Sequence, residues 1–314
     1  MDQPVHNQDQ EYITIEDDEI TKPDSDSESN TKVAVPSYWQ SGIFRNNNQL
    51  MLRRVEKGTS EYVNVARSFI NGMRSFENHV DVVAIHRKNY KWSVMDEARA
   101  EAFRRFATAV ANRNGGDPNI RFGWYGGFRE EIRDILCYGF RRLEKSSSSY
   151  GRGVYFSPVN NSNASQKSII ADSDGAMHVL LCRLILGKLE PIPFGSQIDH
   201  PTSTEFNSGV DDLSSPKRYI IWEPYMNTFV LPLFIVTFKA NSLIGVRKER
   251  WHAMMKILLT NFPKYLSSSK MAFIKKLHYD FYKKKISGET FVRNLRIIAG
   301  DDIIREIIRV HNTS

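Results

Sequence analysis

Gly151-Arg152-Gly153-Val154-Tyr155-Phe156-Ser157-Pro158 is the stretch on which the fold turns. Two glycines open a strand, and the strand carries an aromatic that a pocket can use. Gly-rich turns leading into strands are common, so the motif weighs little alone. Its neighbours add to it. Upstream stands Trp124-Tyr125-Gly126-Gly127, then a helix ending at Gly139-Phe140. Downstream stands Lys217-Arg218-Tyr219-Ile220-Ile221-Trp222. On spacing alone, Tyr155 reads first as ordinary strand core.

The chain has 314 residues, which suggests two domains and a tail. The apolar and charged fractions are ordinary for a globular protein. No apolar run is long enough to span a membrane, and the N-terminus lacks the pattern of a secretory signal. The two cysteines, Cys137 and Cys182, have no Cys or His at metal-ligand spacing and read as reduced core thiols. The net charge of +7 hides an asymmetry. Residues 1–32 hold ten acids and two bases, a balance of −8, so the remainder carries +15.

Residues 1–40 read as a disordered acidic tail, too poor in large apolar residues to offset chain entropy. Its Ser25-Asp26-Ser27-Glu28-Ser29 run suits an acidophilic kinase. Residues 41–243 read as one α+β domain with a mixed sheet. Tyr62, Val65, Ala66, Phe69 and Met73 share a helical face. Val80 to Ile85 reads as a strand. Ser93 is expected to cap a long helix with Met95, Ala98, Ala102, Phe106, Ala109 and Val110 as its buried stripe. Further strands are expected over 121–125, 179–186, 219–222 and 229–238, with a short helix at 130–138 stopped by Gly139. Residues 190–216 read as loop. Residues 244–314 read as a helical module of four short amphipathic helices.

The quoted segments resemble the catalytic core of poly(ADP-ribose) polymerases. That family is implied to use a His-Gly pair, a Tyr in a Gly-x-Gly-[Ile/Val]-Tyr-Phe segment, and a Glu just before a Tyr-Ile-Val-like strand. Here Gly126 matches the glycine that holds the nicotinamide amide, and Tyr155 matches the tyrosine. Tyr125 stands where the histidine belongs, and Arg218 where the glutamate belongs. A family aromatic that sandwiches nicotinamide belongs within 160–168, which holds none. The resemblance narrows to the plant SRO family (similar to radical-induced cell death one), short type. Residues 244–314 resemble its terminal RST domain. The family is implied to be nuclear, concerned with stress responses and development, and largely without polymerase activity, with an RST domain that binds transcription factors.

The Arg218 exchange bears most on activity. ADP-ribosyl transfer passes through an oxocarbenium-like state that needs nearby negative charge. A carboxylate about 4 Å from that cation is worth roughly 4 kcal/mol at an effective dielectric of about 20. Reversing the sign approaches a swing of ~8 kcal/mol, on the order of 10⁵ in rate. Glu223 is a poor substitute: strand alternation turns it away from Arg218, and Pro224 cuts the strand short. The expectation is therefore a degenerate triad at Tyr125, Tyr155 and Arg218, with no functional catalytic residue. Gly126 and Tyr155 remain as the remnant of a cofactor site, no resident cofactor is expected, and NAD binding is doubtful. The rival reading is a mono-ADP-ribosyltransferase with a rearranged site, and a third is a reader of nucleotides or ADP-ribose.

The scattered histidines His86, His178, His200, His252 and His278 read as structural or exposed, and Asp199-His200 as a loop pair without a nucleophile. No metal site is expected. Residues 246–314 carry fifteen bases and six acids, a balance of +9. A basic helical module with an apolar groove suits acidic disordered peptides that fold on docking. Trp251, Met255, Leu258, Phe273, Leu277, Phe281, Phe291 and Leu295 are the expected contact residues for transcription factors. No base-reading helix is evident, so direct DNA binding is not expected, nor is membrane binding; the oligomeric state, a homo-oligomer included, stays open.

Overall fold

The computed structural model describes residues 39, 45–46, 49–73, 80–141, 150–162, 171–172, 175–240, 254–283, 285–286 and 288–312. Apart from Trp39, which is buried in the core, the tail expected over 1–40 lies outside the described residues with its serine cluster, as do Trp251, His252 and most of the 160–168 span.

A nine-stranded sheet organises the first part of the chain. After a two-strand hairpin, β1 (Arg45–Asn46) and β2 (Gln49–Leu50), come β3 (Leu52–Arg54), helix α1 (Ser60–Met73) and β4 (Asp81–Lys88). Helix α2 (Val94–Arg113), β5 (Ile120–Gly127), helix α3 (Arg129–Tyr138) and β6 (Gly153–Pro158) follow. The remaining strands are β7 (Met177–Ile185), β8 (Leu189–Pro191), β9 (Ser208–Val210), β10 (Tyr219–Trp222) and β11 (Val230–Lys239). Their spatial order is β3-β4-β11-β7-β5-β6-β10-β9-β8. Every pair is antiparallel except β8 with β9. The expected α+β class with a mixed sheet is what the chain adopts.

The centre of the sheet explains its sequence. β7 lies between β11 and β5 and is buried at every position. A strand covered on both faces has no polar side to show, hence the near-continuous apolar run Met177-His178-Val179-Leu180-Leu181-Cys182. Helix α1 covers one face through Phe69, whose ring meets Trp124 at 5.3 Å and Phe238 at 4.8 Å. On the opposite face the Tyr125 hydroxyl donates to Glu131 of α3. Helix α2 joins α3 there, with Arg99 donating to the Cys137 carbonyl at 3.1 Å. The two cysteines are free thiols, Cys182 buried and Cys137 half-buried. Burial pushes both thiols up, Cys182 the further.

Two expectations need correction. Ser93 does cap α2, accepting the Asp96 N–H at 3.2 Å. The buried stripe is nevertheless Asp96, Ala100, Phe103 and Val110, while Met95 and Phe106 are exposed. The helix is rotated because Asp96 faces inward to meet Lys88 at 2.9 Å, and an apolar count cannot foresee a buried carboxylate. Residues 190–216 are also not all loop: β9 lies within them and β8 enters their start. Three-residue strands carry too little alternation to be seen.

The C-terminal part is helical. The helix over 254–261 is α4; α5 (Ser268–Tyr282), α6 (Gly288–Ala299) and α7 (Asp301–Asn312) follow. Ser267 caps α5, its side chain accepting the Lys270 N–H. Gly300, at φ +83°, sits between α6 and α7, the conformation a glycine stop supplies. These helices enclose their own core of Met255, Leu258, Phe262, Ile274, Phe291 and Leu295, among others.

Candidate functional site

The glycines at 151 and 153 are required by close packing. Gly151 has φ +93°, and a Cβ there would stand 2.7 Å from the Ile198 carbonyl oxygen. A Cβ on Gly153 would stand 2.7 Å from the Ile221 carbonyl oxygen of β10. β6 thereby seats against β10 in a register that pairs Tyr155 with Ile220. Residues paired across strands share a face. Tyr155, Ile220 and Trp222 accordingly form a small apolar cluster with Ile192, Tyr150 and Ile198, apart from the main core.

The Tyr155 hydroxyl is held by its own turn. It donates to the Gly151 carbonyl at 2.6 Å and accepts the Tyr150 N–H at 3.1 Å. Tyr150 in turn receives Arg218: the guanidinium carbon lies 5.4 Å from its ring centroid. The other edge of Tyr150 meets the exposed Phe194 ring at 5.5 Å. Tyr155 and Arg218 thus gather around Tyr150.

Arg218 stands directly before β10, with a side chain that turns back on its own loop. Its Nη1 lies 3.4 Å from Asp211 Oδ2. Asp211 Oδ1 accepts the backbone N–H groups of Lys217 at 2.9 Å and Arg218 at 3.0 Å. The Asp211 side chain is only 5 % exposed, so it closes the loop between β9 and β10 from inside. Sequence reasoning missed Asp211. Its only signal is a carboxylate at the head of an Asp-Asp-Leu-Ser-Ser-Pro loop, a type that routinely captures backbone N–H groups. The fixed positive charge inferred at 218 is therefore countered in part by a neighbour.

Tyr125 belongs elsewhere. Its hydroxyl donates to Glu131 Oε1 at 2.6 Å, and its ring packs on Phe140 at 5.3 Å and Phe156 at 5.8 Å. Burial and the Glu131 charge hold its hydroxyl protonated well above the usual tyrosine range. Phe156, not Tyr155, is the β6 residue it meets. Adjacent strand residues point to opposite faces, so Tyr125 and Tyr155 are turned apart. Gly126 is buried and pairs with Val179 of β7, beyond the point where the β5–β6 ladder stops at Gly123 and Trp124. The three triad positions thus resolve into a pair, Tyr155 with Arg218, and an outlier. Glu223 sits at the start of a 3-10 turn after β10, not within the strand.

The other polar pairs have structural partners. His178 is buried between Thr237 Oγ1 and Asp172 Oδ2, each at 3.0 Å, and Arg129 meets the same carboxylate at 3.0 Å. Asp199 is bound by His200 and ion-paired with Arg152. The hydrogen bond from His200 leads in holding this carboxyl below the usual range. Among the described residues no group of His, Cys, Asp and Glu could hold a metal ion, and no helix is long and apolar enough to cross a membrane.

In the helical part, the expected contact residues divide by burial. Met255, Leu258, Phe291 and Leu295 are core. Leu277 and Phe281 are half-buried, and Phe273 is 64 % exposed. A groove of about 310 Å³ runs between α5 and α6, walled by Phe273, Leu277, Ile297 and Ile298 with Lys276 and Asp280 at its edges. Ile297 is 74 % exposed. Its exposure was missed because α6 reads as a plain amphipathic helix.

A family model described as the RCD1-SRO-TAF4 (RST) plant domain matches residues 248–313. The chain is 35% identical over 270 residues to the "Probable inactive poly(ADP-ribose) polymerase SRO2" of Arabidopsis thaliana, covering 81% of this chain and 82% of the relative. It is 35% identical over 235 residues to SRO5 of the same plant, which bears the same descriptive name, covering 73% and 75%. The crystal structure of the PARP domain of Arabidopsis RADICAL-INDUCED CELL DEATH1 matches with a TM-score of 0.52 at 30% identity, over 56% of this chain and 96% of that one. A PARP-like sheet domain followed by an RST domain, with relatives of this identity along most of its length, makes the chain a member of the plant SRO family of inactive PARP-like proteins.

Proposed function

We propose that the chain is a nuclear adaptor without ADP-ribosyltransferase activity, which binds transcription factors carrying acidic segments through residues 244–314 and so modulates stress-responsive and developmental gene expression. The observation that carries it is the exposed apolar groove between α5 and α6, set in a module of +9 charge. An amphipathic acidic segment gains on both counts there: its apolar side chains leave water, and its carboxylates meet a basic surround. The remnant site supports the inactive half of the reading. The acid that meets Arg218, Asp211, is occupied by two backbone N–H groups and a guanidinium, and the Tyr155 hydroxyl is occupied by its own turn.

The test uses the full chain. A fluorescent peptide rich in Asp, Leu and Phe should bind by anisotropy, weaken with added salt, and lose at least tenfold on Ile297→Ser. Incubation with labelled NAD should leave no label on the protein or on added acceptors. Label transfer that Tyr155→Ala abolishes would establish the rival transferase instead. A fluorescent fusion excluded from plant nuclei would remove the nuclear part.

A further inference from the structure

We infer that the α5–α6 groove has a ligand within the same chain: the acidic segment around residues 9–20, which docks there and competes with outside partners. This rests on the reading of the groove as a site for acidic segments and adds an autoinhibitory occupant to it.

The segment has the chemistry of such a ligand. Asp9-Gln10-Glu11-Tyr12-Ile13-Thr14-Ile15-Glu16-Asp17-Asp18-Glu19-Ile20 holds six acids, no base, and the large apolar residues Tyr12, Ile13, Ile15 and Ile20. Residues 1–32 otherwise offer few large apolar side chains. The groove is the complement. Phe273 and Ile297 are large apolar groups left in water at its mouth. Lys276 stands on its edge with no acid partner among the described residues. The acid there, Asp280, has Lys285 at 3.6 Å, so it repels an incoming carboxylate less. Lys270 and Lys275 are exposed on the same helix.

Reach does not limit the contact. Residues 21–38 separate the segment from the first described residue, Trp39, and can extend to roughly 60 Å. A domain of this size is on the order of 45 Å across, so the linker is comparable in length to the domain it has to cross. A tethered ligand acts at an effective concentration near the millimolar range, so even a weak cis contact displaces outside peptides. Screening should weaken it, because charge supplies much of the attraction.

The test compares the full-length chain with the full-length variant Glu16→Gln, Asp17→Asn, Asp18→Asn, Glu19→Gln. The probes are a labelled peptide of residues 9–20 and the Asp/Leu/Phe-rich peptide. Both should bind the variant at least fivefold tighter than the unaltered chain, and Ile297→Ser in the variant should remove that binding. Equal affinity for the two proteins overturns the cis contact and leaves the groove's reading intact. Binding of the Asp/Leu/Phe-rich peptide but not of residues 9–20 overturns it as well. Failure of both probes on the variant removes the underlying reading together with the inference.

Discussion

The Arg218 guanidinium lies 3.4 Å from the carboxylate of Asp211, and both belong to the loop that joins β9 to β10. The cation at the position of the family acid therefore has a local structural role. Its partner is almost fully shielded from water and needs the donors it has.

Restoring an acid there should not restore catalysis. Arg218→Glu places a second carboxylate against Asp211 and removes the guanidinium from Tyr150. The loop should loosen, at a cost of about 1–3 kcal/mol read from urea midpoints. Labelled NAD should still leave no label, because Tyr125 remains turned to Glu131. A stable Arg218→Glu protein that transfers ADP-ribose would refute this account.

Tyr125→Phe keeps the ring between Phe140 and Phe156 and removes only the donor to Glu131. Glu131 also approaches the Phe128 N–H at 3.4 Å and is not fully buried, so solvent can replace part of the loss. The expected destabilisation is about 1 kcal/mol. A Tyr125→His protein should lose more, since the smaller ring also leaves a gap in the aromatic cluster.

Gly153→Ala tests the seating of β6. The new methyl would stand 2.7 Å from a backbone carbonyl of β10 and 2.7 Å from the Ile220 side chain. Backbone cannot swing aside as a lysine tip can, so the two strands must separate. A loss of about 2–3 kcal/mol is expected, against about 1 kcal/mol for alanine at Gly195, where a Cβ would meet nothing within 4 Å and only the backbone φ of +88° is strained.

What the sequence showed and what it hid follow the kind of each interaction. Local signals were legible: the Ser93 cap, the Gly139 stop and the apolar run of β7. The resemblance supplied Tyr155 and Arg218 as neighbours, and they do gather around Tyr150. Polar contacts from one element to the next were not legible, even between residues six to eight positions apart. Nothing in the spacing announces that Asp96 points inward to Lys88, that Tyr125 turns to Glu131, or that Asp211 anchors Arg218. Each is a polar side chain choosing a partner on another element or across a loop, and periodicity counts only apolar positions.

The Lys88–Asp96 pair should be among the costliest to break. The two charges meet at 2.9 Å with side chains each 2 % exposed, and Lys88 also donates to the Leu136 carbonyl at 3.0 Å. Burial pushes the Lys88 ammonium down and Asp96 opposes that. Asp96→Ala strands the lysine in the interior at a cost of about 3–5 kcal/mol. The paired change to methionine and alanine should recover part of it, which a double-mutant cycle by urea denaturation measures.

His86 should make the fold acid-sensitive. It is 1 % exposed on β4, and neither ring nitrogen finds a hydrogen-bond partner among the described residues. Burial leads in pushing its pKa down from 6.5 to about 4, with Arg54 and His178 adding repulsion. The unfolded chain therefore takes up a proton near pH 6.5 that the folded chain refuses until about pH 4. Stability from this group is full above pH 6.5 and is lost progressively as pH falls toward 4. Between neutral pH and pH 5 the loss amounts to roughly 2 kcal/mol. His86→Gln removes the titration and keeps a polar side chain of similar reach. Urea midpoints at pH 7.5 and pH 5 should differ by about 2 kcal/mol less in the variant than in the unaltered chain. Other carboxylates and histidines titrate alike in both proteins and cancel in that difference. An equal acid loss in both would mean that His86 is already charged, or has a partner, in the folded chain.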